Sequence, residues 1–167
     1  MSLFSNLFSG LFLLLLSATV LAEAQLRVRV EPANSALKGN IEGYIGSLGE
    51  RDAEALQRYR RVAENQAEKA AQALGYYQAH ITTEVSEGAT PRLTVRIQPG
   101  EPVRLRDVVV RVEGPAAQLR AFRTPNDPQL HSGAQLNHGH YDAAKREIQN
   151  QASRYGFFTG RFRDGLK

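Results

Sequence analysis

The side chains most able to do chemistry in this sequence are four histidines, three of them close together as His131, His138 and His140. Imidazole is a common metal ligand, so His138-Gly139-His140 is the first place to look for a metal centre. Gly139 loosens the spacing of that pair, no carboxylate or third histidine stands at a metalloenzyme interval, and His80 lies far away along the chain. A loop leading into a helix is therefore expected there, with no metal site. Cysteine is absent, which excludes disulfides, thiolate zinc sites and thiol nucleophiles. The sequence has no G-x-S-x-G elbow, no Walker loop and no H-E-x-x-H helix. Its Asp and Glu residues occur without a context that would mark an acid and a base. A non-enzymatic protein without a cofactor is expected.

Aromatic and basic residues remain. Gly75-Tyr76-Tyr77 and Gly156-Phe157-Phe158 each place a glycine before two rings. Such pairs can bind peptides, but they more often close a core beside a helix end, and that second role is expected. Arg27, Arg29, Arg92 and Arg96 alternate with apolar residues, as on the solvated face of a sheet. The formal net charge of +4 is dispersed rather than gathered in a block, which, with the export signal described below, disfavours nucleic acid as a partner.

The elements that must carry these residues can be read from hydrophobic spacing. With 42% hydrophobic and 23% charged residues, the chain has the composition of a folded protein. Leu26 to Val30 alternates apolar and basic residues, which predicts a half-buried strand. Leu37, Ile41, Ile45 and Leu48 recur at helical steps, but Gly39, Gly43 and Gly46 each cost about 1 kcal/mol, so a short or irregular helix is expected. Leu56, Tyr59, Ala63, Ala67, Ala70 and Leu74 predict a long amphipathic helix, capped by Asp52 and stopped by Gly75. Two alternating segments follow, Ile81 to Val85 and Leu93 to Ile97, separated by a turn. The order is β-α-α-β-β, a three-stranded sheet with two helices on one face.

Pro99-Gly100-Glu101-Pro102 marks a junction. Beyond it, Val110-Arg111-Val112-Glu113 repeats Val28-Arg29-Val30-Glu31, and Tyr155-Gly156-Phe157-Phe158 repeats the order of Leu74-Gly75-Tyr76-Tyr77 at nearly the same interval. A second unit is therefore expected, with a strand over 103–112, a first helix around Ala116, Leu119 and Phe122, and a second helix on Tyr141, Ala144, Ile148 and Ala152. It lacks room for its C-terminal strand. At the front, an apolar run over 7–21 ends in Ala22-Glu23-Ala24, which predicts a secretory signal over residues 1–24, removed after Ala24. The expected organisation is a signal peptide at 1–24, a first domain at 25–99 and an incomplete second domain at 100–167.

The β-α-α-β-β order and the glycine-aromatic helix endings resemble POTRA domains, the modules of the periplasmic arms of Omp85-superfamily outer-membrane barrels. Ala73-Leu74-Gly75-Tyr76-Tyr77-Gln78, Pro99-Gly100-Glu101-Pro102-Val103, Leu136-Asn137-His138-Gly139-His140-Tyr141 and Gly156-Phe157-Phe158 are similar to the N-terminal region of the TamA family. The resemblance implies an α+β fold of tandem modules, each a three-stranded mixed sheet under two helices. It implies a periplasmic location at the outer membrane, through a C-terminal barrel that this sequence does not contain. The implied role is outer-membrane protein assembly or autotransporter translocation, with a TamB-like inner-membrane-anchored protein and unfolded outer-membrane or autotransporter polypeptides as partners. The arm of another Omp85-type machine, for barrel assembly or two-partner secretion, and a free-standing periplasmic scaffold are the alternatives. A partner strand would add to an exposed edge, for which His80, Ile81, Thr82, Thr83, Glu84 and Val85 are the candidates.

Overall fold

The computed structural model describes residues 23–163. The expected signal segment lies almost wholly outside them. Strand β1 (Gln25–Val30) leads into helices α1 (Ser35–Ile45) and α2 (Ala53–Ala73), followed by strands β2 (His80–Ser86) and β3 (Arg92–Gln98). This is the α+β module that the spacing predicts. Among the described residues no helix is long and apolar enough to cross a membrane.

Two side-chain caps set where the helices begin. Asn34 caps α1 by accepting a hydrogen bond from the Leu37 N–H at 2.9 Å, and Asp52 caps α2 in the same way at Ala55. Helix α1 ends at Ile45 against Gly46, short of Leu48, as the expectation of a short or irregular helix allows, but it runs unbroken through Gly39 and Gly43. Burial of Leu37, Ile41 and Ile45 on its inner face offsets the poor intrinsic propensity, as tertiary packing commonly does. The amide of Asn34 also donates to the Tyr76 hydroxyl at 2.9 Å, tying the cap to the end of α2. Replacing Asn34 with alanine should therefore cost about 1–2 kcal/mol, measured by urea denaturation, because it loses the cap and a second bond together.

The sheet order is β1-β3-β2, with β1 parallel and β2 antiparallel to β3. The hairpin partner of β3 is its neighbour in sequence, whereas β1 reaches it across the two helices. Leu26, Val28, Leu93, Val95, Ile97, Ile81 and Val85 point toward the helices and share one core with Leu56 and the α2 alanines. Leu48, predicted on α1, lies beyond its end yet is 2% exposed, closing the core from the connecting loop.

The second unit departs from its expected form. A one-turn 3₁₀ segment at Pro115–Gln118 replaces the first helix, and helix α3 (His138–Arg154) is the expected second one. No strand forms over 103–112 among the described residues; a single bridge joins Arg104 to Gln135. Val109 is 73% exposed, and Val108 and Val112 are only half-buried. Among the described residues, 105–112 have no strand partner.

Candidate functional site

The backbone of β3 decides which atoms the sheet leaves free. Gln25 N–H donates to Pro91 C=O and Glu31 N–H donates to Ile97 C=O, so the odd-numbered residues of β1 and β3 face one another. The even-numbered residues of β3 must then face β2, where they oppose His80, Thr82, Glu84 and Ser86. Two sets of backbone groups are left pointing outward. They are those of Ile81, Thr83 and Val85 on β2 and those of Leu26, Val28 and Val30 on β1.

The candidate strand 80–85 is thus an edge of the sheet. Its side chains divide by face: His80, Thr82 and Glu84 are exposed, Ile81 and Val85 pack partly against the core, and Thr83 is buried. The edge is also clipped. Arg60 of α2 donates from Nη2 to the Thr83 carbonyl at 2.9 Å and from Nε to its hydroxyl at 3.0 Å, while that hydroxyl donates to Glu64. A guanidinium therefore occupies the carbonyl in the middle of the edge. On the outer face, Glu84 pairs with Arg96 at 2.8 Å. The identity of the clip was not legible beforehand, because Arg60 sits on α2 among other polar residues and nothing local marks it for Thr83.

The two glycine-aromatic motifs are one backbone device used twice. Gly75 N–H donates to Gln72 C=O and Tyr76 N–H to Ala71 C=O; Gly156 N–H donates to Ser153 C=O and Phe157 N–H to Ala152 C=O. These paired bonds close each helix around a left-handed glycine, with φ of 84° and 82°. The first aromatic of each pair turns toward protein: Tyr76 joins the core, and Phe157 meets Phe122 edge-on at 6.2 Å. Tyr77 and Phe158 are exposed, Phe158 at 81%.

The end of α2 also receives the backbone at Val103 and the segment 135–138. Val103 N–H donates to Gly75 C=O, Leu136 N–H donates to Val103 C=O, and the Gln135 amide donates to Leu74 C=O at 2.7 Å. A hydrogen bond at 2.7 Å joins the Tyr77 hydroxyl and His138 Nε2. A cleft of about 220 Å³ beside this junction is lined by Asn34, Leu74, Tyr76 and His140, among others. At its margin His140 Nδ1 lies 2.7 Å from Asp127. The Gln129 N–H and then His140 hold the Asp127 carboxyl below its usual value, outweighing its partial desolvation. The histidines therefore go to separate partners: His138 to Tyr77, His140 to Asp127, and His131 to the Ser132 carbonyl.

The arginine stripe lies on the outer face of the sheet, as its alternation predicts. Register places Arg29 beside Arg96 and Gln25 beside Arg92, whose guanidinium donates to the Gln25 side chain at 3.0 Å. Residues 27–99, which take in most of β1 and all of α1, α2, β2 and β3, match the family model described as POTRA domain TamA domain 1.

Proposed function

Since residues 27–99 are a TamA-type POTRA domain, we propose that the chain acts as a periplasmic docking arm for outer-membrane protein assembly or autotransporter translocation. Domains of this type are non-enzymatic modules of Omp85-type polypeptide-binding arms. In this reading residues 100–167 begin a second POTRA domain, and the expected leader over 1–24 brings the chain to the periplasm. The arm engages a TamB-like partner and unfolded outer-membrane or autotransporter polypeptides, without a cofactor.

The observation that carries this reading is an edge strand inside that domain. An extended polypeptide paired along 80–85 gains backbone hydrogen bonds from Ile81, Thr83 and Val85 and needs little sequence of its own. Low sequence demand suits a factor that handles many substrates. Docking there displaces Arg60 from the Thr83 carbonyl.

Three measurements test the proposal. The chain immobilised and exposed to an unfolded autotransporter barrel domain or to a TamB-like periplasmic domain is expected to retain both, and retention of neither overturns it. A photo-crosslinker placed at exposed Thr82 should label the bound polypeptide, whereas labelling only from positions on α3 would move the docking site elsewhere. Arg60→Ala should strengthen binding of an extended peptide by up to about tenfold, because a hydrogen bond to a charged group contributes about 1.5–3 kcal/mol and part of that is offset by the lost packing of α2. Fluorescence anisotropy reads this directly.

A further inference from the structure

The second edge of the sheet carries different chemistry. Along β1 the N–H and C=O groups of Leu26, Val28 and Val30 point away from β3, and among the described residues no hydrogen bond from another element meets them. Here no guanidinium plays the part that Arg60 plays at Thr83. A groove of about 380 Å³ runs along this edge, with Lys38 and Glu42 of α1 on its far wall. Those two residues pair with each other at 2.8 Å.

Charge on this edge is one-sided. Arg27 and Arg29 project from the solvent face of β1, both exposed, and neither takes part in an ion pair among the described residues. Arg92 lies on the next strand in register with Gln25. Arg96, by contrast, is already matched by Glu84. A strand added to β1 would place its solvent-facing side chains beside Arg27 and Arg29, at the distance where opposite charges stabilise a cross-strand pair and like charges destabilise it. Its other side chains would enter the groove next to half-buried Leu26 and buried Val28.

We infer that the β1 edge is a second docking site, which takes an extended polypeptide alternating acidic and apolar residues. The site is separate from the 80–85 edge and does not depend on docking there. A second copy of the chain is a poor occupant, because antiparallel pairing of two β1 strands sets arginine against arginine. An anionic lipid surface would satisfy the arginines but leave the outward backbone groups of β1 without strand partners.

The test uses the chain and a labelled peptide of five Glu-Val repeats with blocked ends, followed by fluorescence anisotropy. Binding is expected to weaken at least tenfold when Lys replaces Glu in the peptide, and likewise in Arg27→Glu/Arg29→Glu, with the thermal melt of the chain unchanged. Arg60→Ala should leave the β1 component of binding as it was. Backbone pairing is tested on the peptide, so the fold is never perturbed. N-methylation of every Val or of every Glu blocks one side of an extended strand, and one of the two peptides should bind while the other fails. Equal binding by the Glu and Lys peptides overturns the inference, as does equal binding by both N-methylated forms. Arg27- and Arg29-dependent binding to phosphatidylglycerol vesicles without binding of the peptide would make the face a lipid surface, and sedimentation as a dimer through β1 would make it a self-interface; either result overturns it.

Discussion

Gly75→Ala is expected to lower the unfolding free energy by about 3 kcal/mol, whereas the matching Gly156→Ala lowers it by about 1–2 kcal/mol. Both glycines end a helix in the left-handed region, so both substitutions incur the handedness penalty of an L residue. Their surroundings differ. A Cβ on Gly75 would lie 2.7 Å from the Leu136 carbonyl oxygen and 3.3 Å from that of Val103, while a Cβ on Gly156 meets nothing within 4 Å. Both of these oxygens belong to the backbone, so relief requires the 103 and 136 segments to move off the end of α2. That movement strains the Val103 bond to Gly75 and the Gln135 bond to Leu74. Urea denaturation of the two variants, followed by circular dichroism, measures the difference. Equal losses would mean that the junction yields without energetic consequence.

Ile41→Ala should cost about 2–5 kcal/mol, a large share of the 5–15 kcal/mol typical of a folded domain. Ile41 is fully buried on α1, between the fully buried Leu37 and the nearly buried Ile45. The facing helix offers little to refill the space, because its buried positions are mostly alanines: Ala63, Ala67, Ala70 and Ala71. Small residues let α2 approach its neighbours closely, and they make the opposite error costly as well. Ala67→Leu inserts a larger side chain where no room exists and should destabilise by about 1–3 kcal/mol. Val62→Ala, at 45% exposed on the outer side of α2, should change stability by no more than about 0.5 kcal/mol. Thermal and urea melts of the three variants separate these cases. A loss at Val62 as large as that at Ile41 would mean that the outer face of α2 is covered by another body.

Much of the first unit was legible because its signals are local. Helical spacing from Leu56 to Leu74, the cap at Asp52 and the stop at Gly75 each depend on residues a few positions apart, and the structure has all three. Alternation likewise predicted β2 and β3, and which of their side chains face the core. Weak local signals misled in two places. The glycines of α1 suggested a short or irregular helix; Gly46 does end it, but Gly39 and Gly43 do not disturb it, because propensity takes no account of the three buried residues that hold the helix. The valines at 108–112 suggested a strand because alternation cannot report whether a partner strand is at hand.

By itself, then, the sequence determined the elements of residues 25–98, their inner faces and the resemblance to POTRA modules. Tertiary structure alone decided that β3 lies in the middle of the sheet, that Arg60 clips Thr83, and that the turn at Gly75 receives Val103 and Gln135. The division has a physical cause. Side-chain periodicity fixes which face of a strand is buried, but the hydrogen-bonding edge lies at right angles to that face, and its exposure depends on strands and side chains brought in from far along the chain. For a protein read as docking polypeptides through its edges, that is the part of the function that folding supplies.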